Sequence, residues 1–314
     1  MASGTLDKLT SAGAGSLAML RILIGGFFLL SIVGTSFSDL AKTPVTLLIP
    51  TGLMKLLPWT LYDRMLTPPA MALLKWTLVF SLMMMTVGYA SSLFTRLAVL
   101  LVLFYEGLVR SFGHFNHDEM IAVYFLIVLA FSPCADALSV DRLRKNPRPK
   151  PAFAYGYPIL LMQALLAWSY FSSALIKLRV AGFNYFSADN LPALAITQSL
   201  DNLHDTHFRW AFWLPSIKSY TPIFVLLVVI WELIFPLAIF VKRLRWPILA
   251  FGIVFHICTL FLMNFLFIYT LTMYVVFIDW DSILNWLPKN RLTHSLLIAP
   301  GREQGTGLAE ERGG

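Results

Sequence analysis

Of 314 residues, 58% are hydrophobic and only 13% are charged, about half the charged share of an ordinary soluble domain. That composition excludes a large soluble core, because burying more apolar mass does not remove the need for a polar surface. The net charge of +7 is not a nucleic-acid signature, since the basic residues fall between apolar runs, where the positive-inside rule places them.

Apolar runs of about 20 residues recur, each long enough to span about 30 Å of hydrocarbon. The sequence therefore predicts an all-α fold, a polytopic transmembrane helical bundle of about eight spans plus interfacial helices. The leading residues 1–15 are small and polar and read as a cytoplasmic segment, not a cleaved signal. Hydropathy places spans at Ser16–Ser36, Ala70–Ser91, Arg96–Phe112, Asp118–Leu138, Tyr157–Leu178, Thr221–Val241, Trp246–Met263 and Phe265–Trp280. The last is short and follows its neighbour almost without a loop. Three basic segments carry Arg142, Arg144 and Lys145; Lys242, Arg243 and Arg245; and Lys289 and Arg291. With eight spans all three lie on one side, expected to be cytoplasmic, so both termini are inside. Residues 16–288 then form the membrane domain, and 289–314 a Gly- and charge-rich tail expected to be disordered. The outward segments Thr43–Leu66 and Tyr185–Trp213 are rich in Trp, Phe and Leu and read as helices in the membrane surface. Cys134 and Cys258 are the two cysteines and form neither a disulfide framework nor a metal site.

An ionisable group in hydrocarbon costs at least about 2.5–3.5 kcal/mol on insertion scales, so each needs a reason. Arg21 is either a snorkelling arginine or the mate of Glu232, which must find a partner or be protonated. Glu106 and Arg110, four residues apart, read as an internal ion pair. His114, Asn116, His117, Asp118 and Glu119 crowd the outer start of the fourth span. There Asn116 can cap the helix, with the two carboxylates favouring its N-terminus, and the bare His-x-x-His spacing is only weak evidence for a metal. Lys177 either snorkels or sits in an apolar pocket, where desolvation would make a neutral-amine base of it. His256 either bonds a neighbouring helix as a neutral imidazole or serves the site. By this topology 114–119, Lys177 and His256 converge in the outer half of the membrane, the default site hypothesis.

These residues resemble a known family. Leu17 to Ile22 with Arg21, Asn116-His117 followed by Ala137 to Asp141, Tyr170-Phe171 with Ala174 to Leu178, Glu232 with Pro236, and Phe255-His256 resemble, in order, the blocks of the HTTM (horizontally transferred transmembrane) domain. That is the superfamily of the vitamin K-dependent gamma-glutamyl carboxylase. For the carboxylases the resemblance implies a lysine that deprotonates vitamin K hydroquinone. Oxygen then adds, a strong alkoxide base forms, and carbon dioxide traps a glutamate carbanion. It places Lys177, His117 and His256 at catalytic positions and Asn116, His114 and Glu232 around the cofactor, with a reduced quinone as that cofactor. Two departures stand out: Ile176 replaces the first of two tandem lysines, and Ala174 a glycine. The chain also ends soon after the last span, which the large lumenal carboxylase domain would follow. It is therefore similar to the short prokaryotic HTTM form, expected in a bacterial inner membrane, whose relatives include a protein that matures a secreted peptide toxin. The expected activity is lyase-like membrane chemistry. The alternative is a non-catalytic partner in maturation or export of a secreted peptide, and a transporter is disfavoured by the lack of an inverted repeat.

Overall fold

The computed structural model describes residues 10–113, 118–145, 148, 150–203 and 206–286. It is helical throughout, with no strand among the described residues. The longer helices are α1 (Ala14–Gly34), α2 (Pro68–Val87), α3 (Ser91–Ser111), α4 (Asp118–Ala130), α5 (Ala152–Ala181), α6 (Asn190–Asp201), α7 (Thr221–Ile234) and α8 (Lys242–Met263), followed by the short α9 (Ile268–Met273). Six helical stretches are long and apolar enough to cross a membrane: α1, α2, α3, α5 with its 3-10 extension to Phe186, α7 with the preceding turns from Trp210, and α8. The protein is a multi-pass membrane protein. At the fourth and eighth expected spans the helices are shorter. Helix α4 has 13 residues, about 20 Å at 1.5 Å per residue, and the apolar helix Ile268–Phe277 has ten. The tail 289–314 lies outside the described residues.

Two compact units divide the chain. The first comprises residues 1–115, 125–159 and 279–314. Within it, α1 packs on α2, and α2 turns back into α3 through Gly88 and Ala90, both left-handed with φ of 71° and 42°. Arg21 of α1 ties this turn to the segment after α4. It is fully buried and donates to the carbonyls of Cys134 at 2.7 Å, Ala137 at 3.4 Å and Leu138 at 2.5 Å. Asp141 accepts from the amides of Ala90 at 3.1 Å and Ser91 at 2.8 Å, capping α3 from 50 residues away. Burial pushes its carboxyl up, but the Ser91 and Ala90 amides with the Lys145 ammonium outweigh that and hold it below the usual carboxylate range. The start of α1 is capped likewise from a distance, with Asp281 accepting from Gly13 at 2.6 Å and Ser16 at 3.0 Å. Glu106 and Arg110 form the expected pair at 3.9 Å. The stretch 43–66, expected as a surface helix, is a string of short helical turns, Val45–Leu47, Gly52–Leu56 and Trp59–Met65, with Leu47, Leu53, Leu56 and Trp59 exposed.

Arg21 thus does not snorkel, and its donors go to carbonyls of its own unit. Snorkelling needs a path to water, and a fully buried guanidinium that donates to three carbonyls of the segment after α4 has none.

The second unit comprises residues 116–124 and 160–278. Here α7 and α8 form a hairpin broken by Pro236, and Trp231 donates its indole N–H to the Ile248 carbonyl at 2.9 Å. Helix α8 ends on Asn264, a left-handed residue with φ of 53° that only Asn, Asp or Gly adopts readily. Its side chain donates to Ser199 Oγ at 2.8 Å and to the carbonyls of Ser199 and Phe208, each at 3.1 Å. Its amide oxygen accepts from Thr206 at 2.6 Å and the Phe208 amide at 2.9 Å. One carboxamide therefore pins α6, the Thr206–Phe208 segment and α8 together. Asn264→Ala is expected to lower stability by about 2–4 kcal/mol, read as a lowered midpoint of detergent-phase thermal unfolding, because it orphans several buried groups at once. Asn264→Gly would restore only the backbone part of that loss.

Candidate functional site

Helix α5 brings Ser173, Ala174 and Lys177 to one face, at spacings of four and three residues. Ala174 is fully buried against Val225 and Val229 of α7. Beside that contact Lys177 Nζ meets Glu232 Oε1 at 2.5 Å. Ser173 Oγ donates to the same oxygen at 3.3 Å. Glu232 is 3% exposed. Its second oxygen, Oε2, is buried and has no hydrogen-bond partner among the described residues. The Lys177 side chain is 23% exposed and its Nζ lies 5.9 Å from the Tyr185 ring centre. Lys177 is thus neither a free interfacial ammonium nor a lone amine in an apolar pocket. It is one half of an ion pair whose other half is held from behind.

In front of Lys177 lies a cavity of about 950 Å³ within this unit. Its walls come from α7 (Phe224, Val225, Leu227, Val228), α8 (Phe251, Val254, Phe255, Cys258, Thr259) and the roof segments, with Leu191, Trp210, Trp213 and Leu214. Lys177 and Arg209 are the charged residues in the wall. Of its wall residues, Phe224, Leu227 and Val254 are also exposed on the surface. An apolar chamber whose wall carries the Lys177 ammonium, paired from behind with Glu232, and the Arg209 guanidinium suits a ligand that is mostly hydrocarbon with a single polar end.

His256 is one layer behind this wall. It is 2% exposed, and its ring neighbours Phe255 and Phe267, at 5.0 and 5.1 Å between centroids, both line the cavity. Its Nε2 is hydrogen-bonded to the Tyr170 hydroxyl at 2.7 Å, and that hydroxyl to Tyr274 at 2.8 Å. Nδ1 is buried without a partner among the described residues. The expectation of a histidine bonded to a neighbouring helix fits this geometry, since Tyr170 belongs to α5. Which nitrogen carries the proton depends on the direction of the tyrosine bonds.

His114, Asn116 and His117 lie outside the described residues. Asp118, the first described residue after them, does not simply favour its own helix. Its carboxylate accepts from the amides of Tyr269 at 3.0 Å and Thr270 at 2.7 Å and from the Thr270 hydroxyl. It so satisfies the first turn of α9, which has no local cap.

The structure therefore assembles Lys177 with Glu232 and surrounds His256 with Tyr170 and Tyr274. It adds Tyr185, Arg209 and Tyr274, which the sequence did not single out. Tyr274 had one legible signal, a hydroxyl within an apolar run. Arg209 and Tyr185 had none, because their role depends on how the roof segment folds back over α7 and α8. No family model, curated protein or solved structure matches the chain.

Proposed function

We propose that this protein is a membrane enzyme of the carboxylase-like HTTM kind, acting on a lipid-soluble ligand in the cavity before Lys177. The observation that carries the reading is the Lys177–Glu232 pair, whose lysine stands in the wall of a large apolar chamber. The ordered blocks that resemble the family, and their placement of a lysine at position 177, support it as well. A quinone fits the donor set. Its ring and isoprenoid tail suit the aromatic and aliphatic wall, and one of its ring oxygens suits the ammonium. When bound, a reduced quinone would supply the electrons of the reaction.

The chain's own residues handle protons and exclude water. In this reading the pair first shifts its own proton from Lys177 Nζ to Glu232 Oε1, and the free amine then takes the proton from the ligand's oxygen, leaving an ammonium beside the ligand's oxyanion. Ser173 keeps the carboxylate oriented. The apolar wall keeps water from the reacting centre. His256, held by Tyr170, polarises the ligand or its oxygen from the second layer, and His117, Asn116 and His114 complete the site as the resemblance implies. The same reading keeps the eight-span topology, with both termini in the cytoplasm of a bacterial cell and the site toward the outer face.

The test uses the purified chain in nanodiscs with vitamin K hydroquinone kept reduced until use. Saturable quenching of the cavity tryptophans Trp210 and Trp213 is expected, followed by oxygen-dependent loss of hydroquinone. The double variant Lys177→Met/Glu232→Leu, which removes the pair as a unit, is expected to lose at least 100-fold in rate, in the range of a general base. A wild-type chain that neither quenches nor consumes hydroquinone overturns the reading. Partnership with a secreted peptide is the second reading, favoured by the exposed roof aromatics Phe183, Trp210 and Trp213. Binding of hydroquinone without turnover, together with peptide capture by the double variant, would favour it.

A further inference from the structure

The first unit holds a cavity of about 440 Å³ at the start of α3, far more polar than the chamber before Lys177. Its wall carries three cations, Arg96, Lys145 and Lys150, and two carboxylates, Asp136 and Asp141, so one positive charge is left over. Both carboxylates are already committed. Asp141 holds the Ala90 and Ser91 amides and lies 3.4 Å from Lys145 Nζ. Asp136 accepts from the Tyr155 hydroxyl at 3.0 Å and pairs with Lys150 at 3.0 Å. Arg96 has no carboxylate among the described residues, and its neighbour is the Phe131 ring, 6.0 Å from Cζ to centroid.

The wall also contains a buried hydroxyl that nothing answers. Thr95 is 1% exposed, lines the cavity, and its Oγ1 has no hydrogen-bond partner among the described residues. Ser91 Oγ, one turn earlier in the same wall, is buried too and has only the weak Cys134 thiol beside it. Buried hydroxyls left without partners are rare in native structures and ask for an occupant. The cavity sits at the N-terminal end of a 21-residue helix, where the backbone dipole favours an anion.

The occupant must therefore accept several hydrogen bonds, carry negative charge and be compact. We propose that this cavity binds a phosphoryl group, with Arg96 supplying the charge and the Thr95 and Ser91 hydroxyls donating to its oxygens. Lys145 and Lys150, held in place by the two aspartates, stand at its rim. The phosphoryl comes either from the headgroup of an anionic phospholipid or from free phosphate. Basic pockets beside membrane helices suit such headgroups.

The experiment uses the full chain, stripped of lipid in a non-ionic detergent and free of phosphate. Short-chain phosphatidylglycerol and inorganic phosphate are titrated separately, with native mass spectrometry counting bound ligand and thermal unfolding reading affinity. One bound phosphatidylglycerol per chain is expected. Arg96→Gln, on an exposed side chain, is expected to weaken it about tenfold, the effect of one charge-assisted hydrogen bond. Thr95→Val is expected to weaken it severalfold and Thr95→Ser to restore it, which a merely structural role for Thr95 would not do. Binding of inorganic phosphate with the same dependence on Arg96 and Thr95 supports the site and assigns its source to free phosphate. No binding of either probe by the wild-type chain, or equal binding by Arg96→Gln and Thr95→Val, overturns the proposal.

Discussion

Lys177→Met is expected to destabilise the protein by about 3–5 kcal/mol, and Glu232→Leu added to it to recover most of that loss. The asymmetry follows from burial. Glu232 is almost wholly enclosed and has one cationic partner at 2.5 Å, so removing the lysine alone leaves an uncompensated charge in an apolar surrounding. Removing both leaves a neutral contact between α5 and α7, and replacing a buried pair by apolar side chains is often close to neutral. A double-mutant cycle measured by unfolding in mixed detergent reads the coupling, with the fourth corner Glu232→Leu alone less costly because Lys177 retains partial exposure. Additive effects of the two substitutions would show that the pair is not the structural unit described. The cycle also governs how any loss of activity is read. Lys177→Ala alone would remove function whether the lysine acts as a base or only neutralises Glu232, whereas the folded double variant separates the two.

Arg21→Met is expected to be the most damaging substitution in the first unit, lowering stability by about 1–3 kcal/mol for each carbonyl it orphans. Three carbonyls depend on it, those of Cys134, Ala137 and Leu138. Leu138 itself has a φ of 47°, a conformation that a leucine holds only when its surroundings enforce it. Arg21→Lys is expected to recover little, since one ammonium cannot reproduce the planar fork that reaches several carbonyls at once. Proteolysis of the segment between α4 and α5 would report the release. Near-normal protection of that segment in Arg21→Met would contradict its role as the anchor.

The long apolar helices were legible because hydropathy over 20 residues is a local property, and α1, α2, α3, α5 and α8 fall close to the stretches read from it. The fourth and eighth expected spans show the limit of that signal. Asp118–Leu138 is mostly apolar, yet its helix stops at Ala130, and Cys134, Ala137 and Leu138 give their carbonyls to Arg21 instead of to a continuing helix. The run Phe265–Trp280 is likewise apolar but begins after the left-handed Asn264 and tightens into a 3-10 turn at Tyr274. Hydropathy scores composition and is blind to where backbone carbonyls find their partners.

The site divides in the same way. That Arg21, Lys177, Glu232 and His256 each needed a reason to lie among apolar residues was determined by the sequence alone, because the penalty for a polar group in hydrocarbon does not depend on the fold. Which partner supplied the reason was not. Arg21 and Glu232 were complementary in charge and plausible mates, but only the tertiary structure decided that Arg21 spends its donors on carbonyls and that Lys177, 55 residues from Glu232, closes the pair. Pairing across helices depends on which faces meet and how closely. Here a fully buried alanine at position 174 lies at that contact, and the meaning of a small residue appears only once its neighbour is in place.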